Sequence, residues 1–459
     1  MPLAPILAVA LLPCAAYGWW IWQRFPAEVF TPGNALVVRD YLNLWAGGRL
    51  AAAGRFDAVF DPHAYQAWLE GVFGPAIDLH TWSYPPHALL LAVPFSSLPL
   101  LPGFAAWTLA TLAFFGFVLR RAGLAAPAAL AVALSPAAAE NALAGQNGAL
   151  TAAALAGGLL LLAEGKAVAA GALLGLLTIK PQLGVLVPVC LLASRDWRGS
   201  AWTAAFGVLY AAAALPFFGA EAWERYFAAT APFMRSVAEA PFGLAFQYAM
   251  PTPFMSARAA GAGLPAAYAV QAAATLVCLV LAAWAWGGGR PREGRPPAAV
   301  ALVLLLTPLA TPYAHAYDLV ATAVALAVLA RPDARRGALP RPEFYALGAA
   351  WAWPGAAFLV GVSICPGLGP LFLVPAAVCA ATRLRRTAGS PGADGPPRAL
   401  APASGAARTV RRPPRSLLDG RERAAGADGA VEKSRTSTGF PPPAPQAGAS
   451  TIPPRPQFG

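Results

Sequence analysis

From Leu3 to Thr382, apolar stretches of about 13 to 23 residues follow one another, each ended by Arg, Pro, Gly or a short polar cluster. No soluble core accommodates such a series. Of the 459 residues, 58% are hydrophobic and only 12% charged, against about a quarter charged in an ordinary soluble domain. Roughly 20 apolar residues cross about 30 Å of hydrocarbon. The pattern therefore predicts an all-α polytopic membrane protein with about eleven or twelve transmembrane helices. They are expected near residues 3–23, 86–119, 124–139, 149–163, 167–179, 182–194, 199–218, 265–286, 298–312, 317–330, 343–361 and 364–382. The stretch 86–119 is too long for one straight span and contains Pro94, Pro99 and Pro102, which predicts a kinked helix or a short hairpin.

Basic residues set the orientation, because short cytoplasmic loops hold an excess of Lys and Arg. With 86–119 counted once, Arg120, Arg121, Lys166, Arg195, Arg331 and Arg383 all fall on one side. That side is read as cytoplasmic, with both termini inside. The opposite face then receives the loop 24–84, the Asn141–Asn147 turn, the Lys180-Pro181 corner, the loop 219–264 and the turn Pro312–Asp318. The loop 24–84 carries Glu28, Asp40, Asp57, Asp61, Glu70 and Asp78 against Arg24, Arg39, Arg49 and Arg55, so it is net acidic. Within it, Leu42–Ala53 and Pro62–Val72 read as short amphipathic helices at the membrane interface, with Trp45, Trp68, Trp82 and Tyr84 as headgroup-level anchors.

The first span lacks a basic start and a small-residue cleavage site, so it reads as a retained helix. Cys14, Cys190, Cys278, Cys365 and Cys379 sit in or beside apolar stretches without metal-type spacing, and read as small buried hydrophobes. Residues 1–382 thus form the membrane domain. Residues 383–459, rich in Pro, Gly, Ala, Ser and Arg, cannot bury enough surface to order themselves and read as a disordered cytoplasmic tail. The net charge of +12 reflects that tail and the cytoplasmic loops facing anionic headgroups. No nucleic-acid-binding motif accompanies it.

Several motifs occur in a fixed order. They are Asp40-Tyr41 after the first span, Gly54-Arg55-Phe56-Asp57, Tyr84-Pro85-Pro86, Asn141 with Gly145-Gln146-Asn147, Gly171 to Gly175 leading into Ile179-Lys180-Pro181, and Thr311-Pro312-Tyr313-Ala314-His315. Together they resemble glycosyltransferase family 87 over about residues 3–382. The resemblance implies a GT-C-type helical bundle with a large first extracytoplasmic loop, in a bacterial-type inner membrane. It also implies a hexosyltransferase, most characteristically a mannosyltransferase, that uses a polyprenyl-phosphate sugar and a lipid or envelope-glycan acceptor. The sequence departs from the family pattern at Ala314, where an aromatic or polar residue often stands.

The chemistry constrains which residues do the work. A lipid-phosphate donor keeps its tail in the bilayer and its sugar in water, and the acceptor hydroxyl needs a base. Asp40, just beyond the first span, is the expected base for an inverting displacement. The departing phosphate needs cations or hydrogen-bond donors, and Lys180 and His315 are the expected ones. For Lys180 the alternative is snorkelling to the headgroups, since a lysine among apolar runs is otherwise costly. Asp318 either orients His315 or caps the following helix, capping being preferred. Arg39, Tyr41, Tyr84, Asn141, Gln146 and Asn147 are expected to bind substrate, with Glu140 beside Asn141. Helix capping is an equal explanation for the turn residues. His80 and His87 flank Tyr84-Pro85-Pro86, but too few ligands assemble for a metal, and no metal or other cofactor is expected. The rival reading is a polytopic transporter or lipid flippase.

Overall fold

The computed structural model describes residues 38–75, 77, 79–287, 294–331 and 339–388. The expected first span with Cys14, and the tail from residue 389, lie outside them. All regular structure among the described residues is helical, which agrees with the all-α class.

Two helices are long and apolar, Leu100–Arg121 in the second part of the expected stretch 86–119 and Leu264–Trp286 at the expected span 265–286. At about 1.5 Å per residue each is long enough to cross the hydrocarbon layer. Leu109, Phe117, Leu276 and Val280 stand exposed along them, as on helices that face lipid. A third crossing is available if Trp197–Ala212 and Leu215–Glu239, bent by 91° at their junction, count as one span.

The remaining stretches are also helical but shorter, among them Gly148–Ala163, Ala167–Ile179, Pro181–Ala193, Pro297–Leu309 and Ala316–Leu329. Proline punctuation explains several breaks. The stretch 86–119 divides into Pro86–Ser96 and Leu100–Arg121, with Pro99 extended (φ −55°, ψ 156°) at the junction. The stretch 124–139 divides into Ala126–Ala133 and Pro136–Ala144.

Helices apolar all round belong in the centre of a bundle. Gly148–Ala163, Pro297–Leu306 and Val320–Leu329 are buried on almost every side. Gly171 and Gly175 let the helix they occupy meet Trp197–Ala212 backbone to backbone. A Cβ at Gly175 would lie 2.7 Å from the Gly207 nitrogen, and one at Gly171 2.6 Å from the Trp202 Cβ. The Gly171-to-Gly175 motif is therefore a small-residue crossing. At the far end, Arg383 Nε donates to Glu343 Oε2 at 2.9 Å. The helix that carries Arg383 runs on past Thr382 to Ala388.

The first loop departs from a set of surface helices. Arg39–Ala52, Phe56–Phe60 and Pro62–Phe73 are helical, but Tyr41, Leu42, Leu44, Ala46 and Leu50 of the first are buried. That helix packs on Leu89–Ser96. Trp82 is not a headgroup anchor, because it is 1% exposed and part of this second core. Trp45 and Trp68 lean on each other at 6.2 Å, and Trp45 Nε1 donates to the Leu98 carbonyl at 3.0 Å. Among the described cysteines, Cys190 and Cys278 are buried as expected, whereas Cys365 is exposed.

Candidate functional site

Lys180 occupies the corner between two short 3-10 turns, Leu176–Ile179 and Pro181–Gly184, in a non-helical conformation (φ −145°, ψ 66°). Pro181 enforces this break, since the residue before proline is driven out of the helical region. The side chain turns inward. Its Nζ lies 2.6 Å from Asp318 Oδ1, with both side chains nearly inaccessible. Nζ also donates to Asn147 Oδ1 at 3.3 Å and sits 5.1 Å from the centre of the Tyr317 ring. Snorkelling is therefore excluded, and Lys180 is not an unshared cation.

Asp318 serves two partners. Its Oδ2 accepts the His315 backbone N–H at 3.0 Å, the expected capping role, while Oδ1 holds Lys180. The second role was missed by sequence reasoning, although a lysine embedded in apolar sequence demands a partner. His315 is 7% exposed. It stacks on Tyr317 (4.8 Å, 15°) and meets Tyr313 edge-on at 5.3 Å. Burial holds its imidazole down to about 4, against the opposing pull of Asp318 and Asp40. At neutral pH the ring is uncharged, so it offers one N–H donor and one acceptor and no positive charge. Ala314 is fully buried.

The Asn141–Asn147 turn supplies a second side of the cluster. Tyr84 OH donates to Gln146 Oε1 at 3.0 Å, the Asn147 N–H donates to the same oxygen at 3.1 Å, and Gln146 Nε2 reaches Tyr317 OH at 3.4 Å. Asn141 Oδ1 accepts the Gly148 N–H at 2.5 Å, so it fastens the turn. Gly145 closes the preceding helix in the left-handed region at φ 68°, where glycine is favoured. A Cβ at Gly148 would collide with the Tyr317 carbonyl. The glycines of this motif thus let the two turns touch.

Asp40 lies in the first turn of Arg39–Ala52 and is partly accessible. Among the described residues no hydrogen bond or ion pair engages its carboxylate. Its charge is nevertheless felt at Tyr84, Glu140, Tyr313 and His315, which places it beside the cluster. The charge of Arg39 also reaches His315. Val38, immediately before, adopts φ 71°, a strained conformation for a β-branched residue. Its N–H donates to the Leu143 carbonyl at 3.2 Å, which ties the start of the Asp40 helix to the Asn141–Asn147 turn.

Tyr41, expected to bind substrate, and several other polar residues of the motifs lie elsewhere. Tyr41 is fully buried, and its hydroxyl donates to the Phe95 carbonyl at 3.2 Å; it is a packing residue. Arg55 and Asp57 form an exposed pair at 3.1 Å, and Asp61 caps the next helix by accepting from the His63 and Ala64 N–H groups at 2.9 Å. His87 fastens two turns through Thr178 Oγ1 at 3.1 Å and stacks on Trp223.

The arrangement joins a carboxylate that can take a proton, a hydrogen-bonding rim of Tyr84 and Gln146, and a buried polar centre of Lys180, Asp318 and His315. Those parts suit acid–base chemistry on a hydroxylated substrate. Residues 82–312 match the model of glycosyltransferase family 87. No curated protein matches, and no solved structure matches.

Proposed function

The chain belongs to glycosyltransferase family 87, and on that premise we propose that it transfers a hexose, mannose first among the candidates, from a polyprenyl-phosphate donor to a lipid or envelope-glycan acceptor. Glycosyltransferase activity follows from membership. The donor class, the sugar and the residue roles are this proposal's own.

The observation that carries the proposal is one of convergence. Residues 84, 146, 147, 180, 315 and 318, scattered over the sequence, meet in one polar cluster, and the charge of residue 40 is felt there. In the proposed reaction the acceptor hydroxyl gives its proton to the Asp40 carboxylate. The oxygen attacks the anomeric carbon from the face opposite the phosphate, and the carbon–oxygen bond to phosphate breaks with inversion. The electron pair leaves on the phosphate.

Lys180 then acts as a shared cation. Its bond to Asp318 fixes Nζ, and an arriving phosphate draws on a charge already held in place, so little reorganisation is needed. Neutral His315 contributes one N–H donor, and Tyr84, Gln146 and Asn147 meet sugar hydroxyls. In this reading the apolar stretches make about eleven or twelve spans in a bacterial-type inner membrane, and the basic loops support an orientation with this cluster on the extracytoplasmic face and both termini inside.

The test is sugar transfer in membranes containing the full chain and supplied with radiolabelled polyprenyl-phosphate mannose. Labelled lipid or glycan should appear with wild type and vanish with Asp40→Asn. Near wild-type transfer by that variant, at equal membrane insertion, would refute the assigned base.

A further inference from the structure

Glu140 lies on the Pro136–Ala144 helix, one turn before Gly145, and this helix packs on the Ala316–Leu319 turn that carries Asp318. The residue as a whole keeps some accessible surface, yet its Oε2 is shut off from solvent and has no hydrogen-bond partner among the described residues. A buried oxygen left in this state is unfavourable and calls for an explanation. Neighbouring Asn141 is already occupied by Gly148. The reaction outlined above gives Glu140 no part.

The surroundings narrow what the oxygen can receive. Asp40 and Asp318 both make their charges felt at this carboxyl. Lys180 is turned to Asp318, and Arg39 makes its charge felt at His315. An anionic phosphate is repelled from the Glu140 side and drawn to the Lys180 side. An uncharged polyol meets no such repulsion. Burial, reinforced by the charges of Asp40 and Asp318, holds the Glu140 carboxyl well above the usual carboxylate range. That direction favours the protonated form, which can both donate and accept, as paired sugar hydroxyls require.

We propose that Glu140 is a sugar-binding residue of this site, its Oε2 hydrogen-bonded to a hydroxyl of the hexose being transferred. The assignment rests on the lipid-phosphate hexose donor proposed above.

The experiment compares two probes on the detergent-solubilised full chain, farnesyl phosphate mannose and farnesyl phosphate without sugar. Wild type should bind the sugar-bearing probe more tightly. Glu140→Ala should lose about tenfold of that margin, the worth of one good hydrogen bond, while its affinity for farnesyl phosphate stays the same. Glu140→Gln, which keeps a neutral donor and acceptor, should retain most of the margin. If Glu140→Ala does not fold, Glu140→Leu fills the same space without polar atoms and should show the same selective loss.

Equal weakening of both probes, or an intact sugar margin in the apolar variant, overturns the assignment and leaves the donor class standing. Wild type binding neither probe overturns the donor class and this assignment with it.

Discussion

Lys180 and Asp318 stand 138 positions apart in sequence and 2.6 Å apart in space, each almost sealed from solvent. The pair holds together the corner after Ile179 and the turn after His315. Taking two charges out of water is expensive, and their attraction offsets this only with good geometry and further hydrogen bonds. Here Asn147 and the His315 N–H supply them.

Removing one partner leaves the other as an uncompensated buried charge. Lys180→Ala or Asp318→Ala is expected to destabilise the fold by about 3–5 kcal/mol. Replacing both together by Met and Leu should recover most of that stability without restoring transfer. Thermal melting in detergent checks this, and single variants that melt like wild type would remove the pair from any structural role.

Asp40 has no partner to lose among the described residues. Asp40→Asn should therefore leave the melting temperature unchanged while lowering sugar transfer at least about 10²-fold, the lower end of what a general base contributes. Measured side by side on one membrane preparation, a substantial drop in melting would instead reveal a structural contact.

His315 gives the fold a pH dependence of definite sign. Its folded value is held down to about 4 by burial, below the roughly 6.5 of an unfolded histidine. Between those values the unfolded chain binds a proton that the folded protein refuses. Stability is then complete above about pH 6.5 and falls as the pH drops toward 4. Melting curves at pH 7 and pH 5 should show a smaller acid-induced loss in His315→Asn than in wild type.

Gly148 and Asp57 make a contrasting pair of motif residues. Gly148→Ala should reduce both stability and transfer, because its methyl group would strike the Tyr317 carbonyl in the site. Asp57→Asn should change neither, since its partner Arg55 and the carboxylate itself are exposed and such surface pairs contribute little. Transfer rates and melting of the two variants decide the matter. An inactive Asp57→Asn would extend the site into the first loop.

The loop from Arg39 to Pro86 shows why motifs alone mislead. It holds Asp40, Tyr41, Arg55, Asp57, Asp61, Trp82 and Tyr84 within one polar stretch, yet Asp40 and Tyr84 are the ones whose links to the cluster are evident. Tyr41 and Trp82 went into packing because a helix set against Leu89–Ser96 must bury one face. Asp61 became a cap because Pro62 begins a helix and leaves N–H groups to satisfy.

The sequence by itself determined that the chain is helical, apolar and built for a membrane, because the length and spacing of apolar runs depend only on local composition and hydrogen-bond satisfaction in lipid. It also marked the corners where polar residues collect, because proline and glycine act on the backbone where they stand. Only the tertiary structure decided that Lys180 belongs to Asp318, that His315 is uncharged, and that Asn141 fastens a turn while the Glu140 oxygen is left open. Those outcomes depend on burial and on which distant segments touch, and neither is encoded in the spacing of residues along the chain.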